Sequence, residues 1–207
     1  TRSKQITYEN LRLRDPGLVE SATRWWNTRE AQRLQIPIPA SNSAAGSWLD
    51  AAPMFAPLRL RDLCLPNRVV VSPMAQYSAI DGVPNDWHLV HYGARALGGA
   101  GLVFIEMTCP AADARITPGC TGLWNNEQML GFKRIVDFVH ARSAAKLCMQ
   151  LGHAGRKGST QLGWDEIDYP LDEQKGEPNW PLIAPSAVPY REGVNQTPRQ
   201  MSRSDMD

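Results

Sequence analysis

The sequence lacks the features that mark membrane, secreted and nucleic-acid-binding proteins. No apolar run approaches the roughly 20 residues of a membrane-spanning helix, and the first residues contain no apolar signal segment. The net charge is only +1, which provides no electrostatic basis for binding nucleic acid or an acidic membrane surface. The four cysteines form no Cys-x-x-Cys pair, so we expect free thiols in a cytoplasmic protein rather than disulfides or a metal site.

The composition is otherwise that of an ordinary globular protein. Hydrophobic residues make up 43% and charged residues 21% of the 207 positions, which suits one domain with an appendage. The sequence begins at Thr1 without an initiator methionine, and we therefore expect it to be a piece of a longer protein.

Residues 1–52 differ in pattern from the rest of the chain. Asp15-Pro16 is typical of a helix start, and a helix is predicted from Gly17 to about Arg33. One apolar face is predicted for this helix, formed by Leu18, Val19, Ala22, Trp25 and Trp26. The two tryptophans either pack against a missing part of the protein or dock a partner. Residues 40–47 have a flexible linker composition, so we predict a helical linker at 1–52 and a separate domain at 53–207.

From residue 54 onward, strand-like and helix-like segments alternate. Strands are predicted at Arg68–Ser72, Leu102–Glu106 and Lys146–Leu151. Helices are predicted at Trp87–Leu97, capped by Asp86, and at Glu127–Ala141, capped by Asn126. This alternation predicts βαβ units in a parallel sheet. Because a complete barrel needs about 250 residues, we predict an α/β fold that is the N-terminal portion of a (β/α)8 TIM barrel.

The carboxyl ends of the predicted strands hold the candidate functional residues, since parallel α/β folds bind ligands there. Ser72, Met107 and Gln150 lie at or just past these ends. The Gln150 amide both donates and accepts hydrogen bonds, as a flat heterocycle with mixed edges requires. Pro73 and Ala75 add little bulk beside such a ring, and the Tyr77 hydroxyl is suited to orienting a substrate carbonyl. These residues predict a cofactor-binding barrel that acts on a small molecule, without identifying the cofactor.

Several titratable residues have competing interpretations. Glu106 ends an apolar strand, which favours a paired structural carboxylate over a catalytic one. His153 follows the third strand and is either a ligand or base, or a structural loop histidine. His88 and His91 stand three apart on a predicted helix, but no third ligand occurs at helical spacing, so we expect no metal site.

Motifs spread over residues 54–207 resemble the old yellow enzyme family. In chain order they are NRVVVSPMAQYS, DWHLVHYGARALGGAGLVFIEMT, ARITPG with GLWNNEQ, MQLGHAGRK and IAPSAVPY. The resemblance implies an FMN-dependent NAD(P)H oxidoreductase, or ene-reductase, on a (β/α)8 barrel. It also implies that the family's substrate-binding histidine pair, proton-donating tyrosine and phosphate-binding strands lie beyond residue 207.

The same resemblance implies roles for individual residues. FMN contacts fall on Ser72, Pro73, Met74 and Ala75 after the first strand, on Met107 after the second, and on Gln150 after the third. Tyr77 becomes the substrate-facing tyrosine. Ala75 stands where relatives often carry a cysteine that tunes the flavin potential, so such tuning is not expected. Met107 replaces a smaller residue, so we expect it to contact the flavin through its backbone.

A second resemblance concerns SKQITYENLRLRDPGLVESATRWW near the start of the chain. This segment is similar to the one that joins an FAD monooxygenase domain to an old-yellow-enzyme domain in bifunctional proteins. Those are the salicylyl-CoA 5-hydroxylase/oxidoreductase and 2-aminobenzoyl-CoA monooxygenase/reductase types. The monooxygenase's nucleotide-binding glycine motif is absent from the sequence, so no hydroxylase activity is implied for this chain.

The resulting hypothesis is an oxidoreductase that takes hydride from NADH or NADPH and passes it through FMN to an activated C=C bond or another acceptor. The fusion resemblance implies an aromatic acyl-CoA as that acceptor, and the family a possible homo-oligomer. The alternative is a non-catalytic flavin-binding or docking module that serves an attached monooxygenase. Because the later barrel strands are absent, we expect the 207-residue chain alone to retain FMN weakly or not at all.

Overall fold

The computed structural model describes residue 13 and residues 15–38, 48–166, 168–176 and 178–206. The chain divides into two compact units, Thr1–Val70 with Ala100–Leu102, and Val71–Gly99 with Val103–Asp207. The domain boundary near residue 52 remains a prediction. The linker composition at residues 40–47 falls outside the described residues.

Helix α1 (Pro16–Leu34) is the main element of the first unit. Its predicted start is confirmed: Pro16 occupies the first turn, and the Asp15 carboxylate accepts a 3.0 Å hydrogen bond from the Leu18 backbone N–H. The buried stripe is Val19, Thr23, Asn27 and Ala31. The predicted apolar face is therefore wrong at Leu18, Ala22 and Trp25, which are exposed, whereas Val19 is buried and Trp26 half-buried.

Asn27, a polar residue of this buried stripe, hydrogen-bonds backbone groups of a turn that packs against α1. A short 3-10 helix at Trp48–Asp50 lies on this face. The fully buried Asn27 amide donates to the carbonyls of Trp48, Leu49 and Ala51 at 3.2, 2.8 and 3.0 Å. Elsewhere on α1, the guanidinium carbon of Arg68 lies 4.8 Å from the centroid of the Trp26 ring, which is a cation–π contact.

Replacing Asn27 with alanine is expected to lower the free energy of unfolding by about 1–3 kcal/mol, because three carbonyls lose a shared donor. The measurement is the urea midpoint, compared at unchanged slope. Gln32→Ala, which removes an exposed amide from the same helix, is the matched control and should be near neutral. Equal stability of the two variants would contradict this account of the α1 face.

Within the described residues, the named strands form a hairpin, a four-stranded sheet and a short parallel pair. The hairpin joins β1 (Leu58–Leu60) to β2 (Leu63–Leu65) in antiparallel register. The sheet contains β3 (Val70–Val71), β4 (Leu102–Cys109), β5 (Thr121–Gly122) and β6 (Lys146–Leu151). Its order is β3-β4-β5, with β6 also paired to β4. The parallel pair is formed by β7 (Ile183–Ala184) and β8 (Arg199–Gln200).

The observed strands depart from the predicted ones at two places. β6 matches its prediction, whereas β3 is shorter than Arg68–Ser72. The predicted end of the second strand at Glu106 is wrong, because β4 continues to Cys109. Thr108 and Cys109 pair in parallel with Thr121 and Gly122, which extends the ladder past Met107. Met107 therefore lies within β4 rather than after it.

Two helices cover the sheet unit. Helix α2 spans Asp86–Leu97 and helix α3 spans Asn126–Arg142. Their caps are Asn85 and Asn125, each one residue earlier than predicted. The helices pack closely enough that a side-chain carbon at Gly93 of α2 would lie 2.9 Å from the Phe138 ring of α3. Within the described ranges, no helix has both the length and the hydropathy of a membrane span.

Candidate functional site

The carboxyl ends of β4 and β6 meet in the second unit. The backbone N–H of Gly152, just past β6, donates to the Thr108 carbonyl near the end of β4 at 3.1 Å. The approach is close: a side-chain carbon added at Gly152 would lie 2.9 Å from Cγ of Met107. Met107 and the segment that carries Gln150 are thus neighbours, and Met107 fills the space that Gly152 leaves.

The segment after β3 is held at the same edge. Residues 72–79 contain no helix or strand, and Ser72, Met74 and Ala75 are exposed. The Gln76 backbone N–H donates to Oε2 of Glu106 at 2.8 Å. Since Glu106 directly precedes Met107, this bond places residues 72–77 beside the carboxyl half of β4.

Glu106 is a fully buried charged residue near this edge, with 0% of its surface exposed. Its Oε1 accepts a 2.9 Å hydrogen bond from the Tyr92 hydroxyl, whose oxygen accepts from the Glu106 backbone N–H at 3.0 Å. Nε2 of the equally buried His88 lies 3.4 Å from the same Oε1. The prediction that Glu106 is a paired carboxylate is confirmed.

The partners of Glu106 on α2 were missed in the sequence. His88 and Tyr92 are four residues apart and therefore share one face of the helix, which is the signal that could have found them. Burial, reinforced by the nearby Glu106 carboxylate, raises the pKa of Tyr92 far above its ordinary value. The Tyr92 hydroxyl therefore stays protonated and remains a hydrogen-bond donor at any physiological pH.

Tyr77 sits at the end of this loop in an unusual backbone conformation, with φ of 48°. Its ring packs beside the buried cluster of Cys109, Ala114 and Cys120 and lies edge-on to Trp164, with centroids 6.3 Å apart. Burial raises the pKa of the Tyr77 phenol, so the hydroxyl is a neutral donor at pH 7. The next turn is tied down by a 3.0 Å bond from the Ala79 N–H to the Gly119 carbonyl.

Gln150 is the last residue but one of β6, and it is exposed. Across the described part of the chain, its amide makes no side-chain hydrogen bond, so both its donor and acceptor groups are available to a ligand. The seven predicted site residues thus belong to three segments that the contacts of Gln76, Met107 and Gly152 bring to one edge.

His153 and His91 take structural positions. Nδ1 of His153 accepts from the Gly155 N–H at 2.9 Å within a tight turn, which favours the structural interpretation. His91 packs edge-on against Tyr92 at 5.0 Å between ring centroids, and burial lowers its pKa. Among the residues that the structure defines, no three His, Cys, Asp or Glu side chains are grouped as a metal site would require.

Comparisons with known proteins give a consistent result. The profile of the NADH:flavin oxidoreductase / NADH oxidase family matches residues 53–206. An NADH:flavin oxidoreductase of Gibberella zeae is 38% identical over 172 residues, which cover 82% of this chain and 41% of that protein. An NADPH dehydrogenase of Geobacillus sp. is 36% identical over 156 residues, covering 74% of this chain and 40% of the relative.

The structure is similar to that of morphinone reductase. The superposition has a TM-score of 0.59 and 28% identity, and covers 80% of this chain and 42% of that one. A morphinone reductase complex with tetrahydroNAD matches at 30% identity and a TM-score of 0.57, covering 74% of this chain and 42% of that one. Morphinone reductase is a TIM-barrel enzyme, so the predicted α/β class is confirmed. The chain spans about two-fifths of the length of the relatives it matches.

Proposed function

Because the chain belongs to the NADH:flavin oxidoreductase / NADH oxidase family, we propose that the protein is an FMN-dependent oxidoreductase. It uses NADH or NADPH to reduce an activated C=C bond or another small-molecule acceptor. The observation that carries this proposal is the meeting of three segments, residues 72–77, Met107 and Gln150–Gly152, at one edge of the sheet. The chain forms the N-terminal part of the proposed (β/α)8 barrel.

The residues at this edge fit a flavin ring. Gln150 offers an uncommitted amide whose donor and acceptor suit the mixed edge of a pyrimidine ring. Ala75 and Pro73 present backbone with little side-chain bulk, and the exposure of Ser72 and Met74 leaves this surface open. A site for a flat heterocycle needs this combination of an open face and a few oriented polar groups.

Each residue then has a defined task. Bound FMN supplies the hydride-transfer chemistry, while the protein provides binding and orientation. Ser72, Pro73, Met74 and Ala75 line the ring, and the Gln150 amide holds its pyrimidine edge. Met107 contributes its backbone, since its side chain is already packed against Gly152. Tyr77 is neutral at pH 7, and burial moves its pKa further from that range; its hydroxyl donates a hydrogen bond that orients the acceptor.

We propose further that residues 1–52 connect this domain to a preceding FAD monooxygenase domain whose aromatic acyl-CoA product is the acceptor. Two features support this: the family profile begins only at residue 53, and α1 exposes Leu18 and Trp25. The test is the sequence of the natural protein ahead of Thr1. A nucleotide-binding glycine motif there supports the fusion, and a start codon within a few residues of Thr1 contradicts it.

The cofactor is tested by purifying the intact natural protein with FMN supplied and recording its absorbance after gel filtration. We expect the spectrum of stoichiometrically bound flavin. Protein free of flavin absorbance contradicts the proposed function. Turnover with a panel of activated alkenes, including aromatic acyl-CoA thioesters, then identifies the acceptor class, with NADH and NADPH compared in parallel.

A further inference from the structure

Glu106 has no task in the function proposed above, although it is fully buried beside the proposed flavin site. On the premise of that function, we propose that Glu106 is a positioning residue. Its carboxylate fixes the conformation of the flavin-binding segment, residues 72–77, through the Gln76 N–H. We call the hydrogen-bonded pair of Glu106 and Gln76 the Glu106 clamp; Tyr92 and His88 pack against its carboxylate.

The clamp joins two of the three segments of the site. Gln76 follows Ala75 and precedes Tyr77, while Glu106 precedes Met107. Their 2.8 Å hydrogen bond therefore sets the distance between the residues that line the proposed ring and those on β4. Gln76 Nε2 donates to the Met74 carbonyl and Ser78 Oγ to the Gln76 carbonyl, so these bonds are local. Two further bonds tie the segment to α2: Trp87 Nε1 donates to Gln76 Oε1, and Asn85 Nδ2 donates to the Ser78 carbonyl. The bond to Glu106 fixes the segment relative to β4.

The surroundings of Glu106 require a carboxylate. Gln76 presents a backbone N–H, which can only donate. The Tyr92 oxygen already accepts from the Glu106 backbone N–H, so its proton is directed to Oε1. Nδ1 of His88 accepts from the Asn85 N–H at 3.1 Å. In the tautomer that this bond requires, Nε2 carries the proton and lies 3.4 Å from Oε1 without a hydrogen bond to it. The two groups that hydrogen-bond the carboxylate, the Gln76 N–H and the Tyr92 hydroxyl, are donors.

A glutamine cannot replace this carboxylate. Its side chain has one oxygen and one NH2 group, so in either orientation the NH2 faces a donor. If it faces Gln76, the tie to the loop is lost. If it faces Tyr92 and His88, the bond to the loop is kept, but the NH2 group then faces two other donors in a buried site. A buried donor without an acceptor costs free energy. Glu106→Gln therefore removes the function of the clamp while keeping its volume.

The first measurement needs no variant. In the intact protein without flavin, amide hydrogen exchange should show the Gln76 N–H protected about tenfold or more over the neighbouring Ala75 N–H, since only Gln76 has a buried acceptor. Exchange of Gln76 as fast as that of Ala75 would overturn the proposal, whatever the outcome for FMN.

The second measurement separates positioning from general stabilisation. Glu106→Gln in the intact protein is expected to accelerate Gln76 exchange and to weaken FMN binding about tenfold or more, measured by quenching of flavin fluorescence. Tyr92→Phe removes a buried hydrogen bond and should lower the thermal midpoint. Because it keeps the bond between Glu106 and Gln76, FMN affinity and Gln76 exchange should stay near wild type. Glu127→Gln, the same change at an exposed position, is the chemical control.

The outcomes are distinct. Unchanged Gln76 exchange and FMN affinity in Glu106→Gln would contradict the clamp. Equal loss of FMN affinity in Glu106→Gln and Tyr92→Phe would show a merely structural role and would also contradict it. An intact protein that binds no FMN contradicts the proposed function instead, and the exchange of Gln76 still decides whether Glu106 holds the loop.

Discussion

Replacing Gly119 with alanine is expected to lower the free energy of unfolding by about 3 kcal/mol or more. A side-chain carbon at this position would lie 2.2 Å from the carbonyl oxygen and 2.6 Å from the carbonyl carbon of Tyr77. Both atoms belong to the backbone, so no rotamer change relieves the overlap. Either Gly119 or the Tyr77 turn must move, and the Ala79–Gly119 hydrogen bond must break or stretch.

The variant also tests the link between this turn and the site. Displacement of Tyr77 should raise the KM for the acceptor in those molecules that still fold. Gly193→Ala is the control: its backbone has φ of 71° and no atom lies within 4 Å of the added carbon, so it should cost only about 1 kcal/mol for the left-handed conformation. Thermal or urea unfolding measures the stability of both variants. A Gly119→Ala protein as stable as Gly193→Ala would show that the Tyr77 turn is not packed as described.

Replacing Gln150 with leucine is expected to weaken FMN binding about tenfold to hundredfold with little change in stability. Leucine has nearly the same size but neither a donor nor an acceptor, so the edge of the ring loses its partner. Stability should be preserved because the Gln150 side chain is exposed and makes no side-chain bond within the described part of the chain.

The comparison for Gln150 is made by flavin fluorescence titration of the intact protein. Gln200→Leu makes the same chemical change at another exposed strand position and should leave the affinity unchanged. If Gln150→Leu binds FMN as tightly as the wild type, Gln150 does not contact the flavin, and the site must be built differently.

The elements that the sequence predicted well are those with local signals. The start of α1 at Asp15-Pro16 and the span of β6 follow from capping and apolar runs. The buried face of α1 could not be predicted, because Asn27 is buried by the carbonyls of a turn more than twenty residues away. The true length of β4 likewise depends on its pairing with Thr121 and Gly122, which no local pattern of β4 reveals.

In the candidate site, too, local signals were readable from the sequence and tertiary contacts were not. Residues 72–75, Met107 and Gln150 are candidates because ligands of α/β folds gather at strand ends and because their motifs resemble those of a flavin-binding family; their contact with a ligand stays a prediction. The partners of Glu106 were predicted only in part: an apolar strand that ends in a carboxylate predicts a partner but not its identity. His88 and Tyr92 come from a helix, and the Gln76 N–H from a loop backbone, so a tertiary contact decides each of them.

Reduction of bound flavin by a nicotinamide donor tests the central claim most directly. Intact protein loaded with FMN is mixed anaerobically with NADH or NADPH in a stopped-flow instrument while the flavin absorbance is followed. We predict complete bleaching with one of the two donors, followed by recovery when an activated alkene is added. A bound flavin that neither donor reduces would contradict the proposed oxidoreductase and would support the non-catalytic flavin-binding module instead.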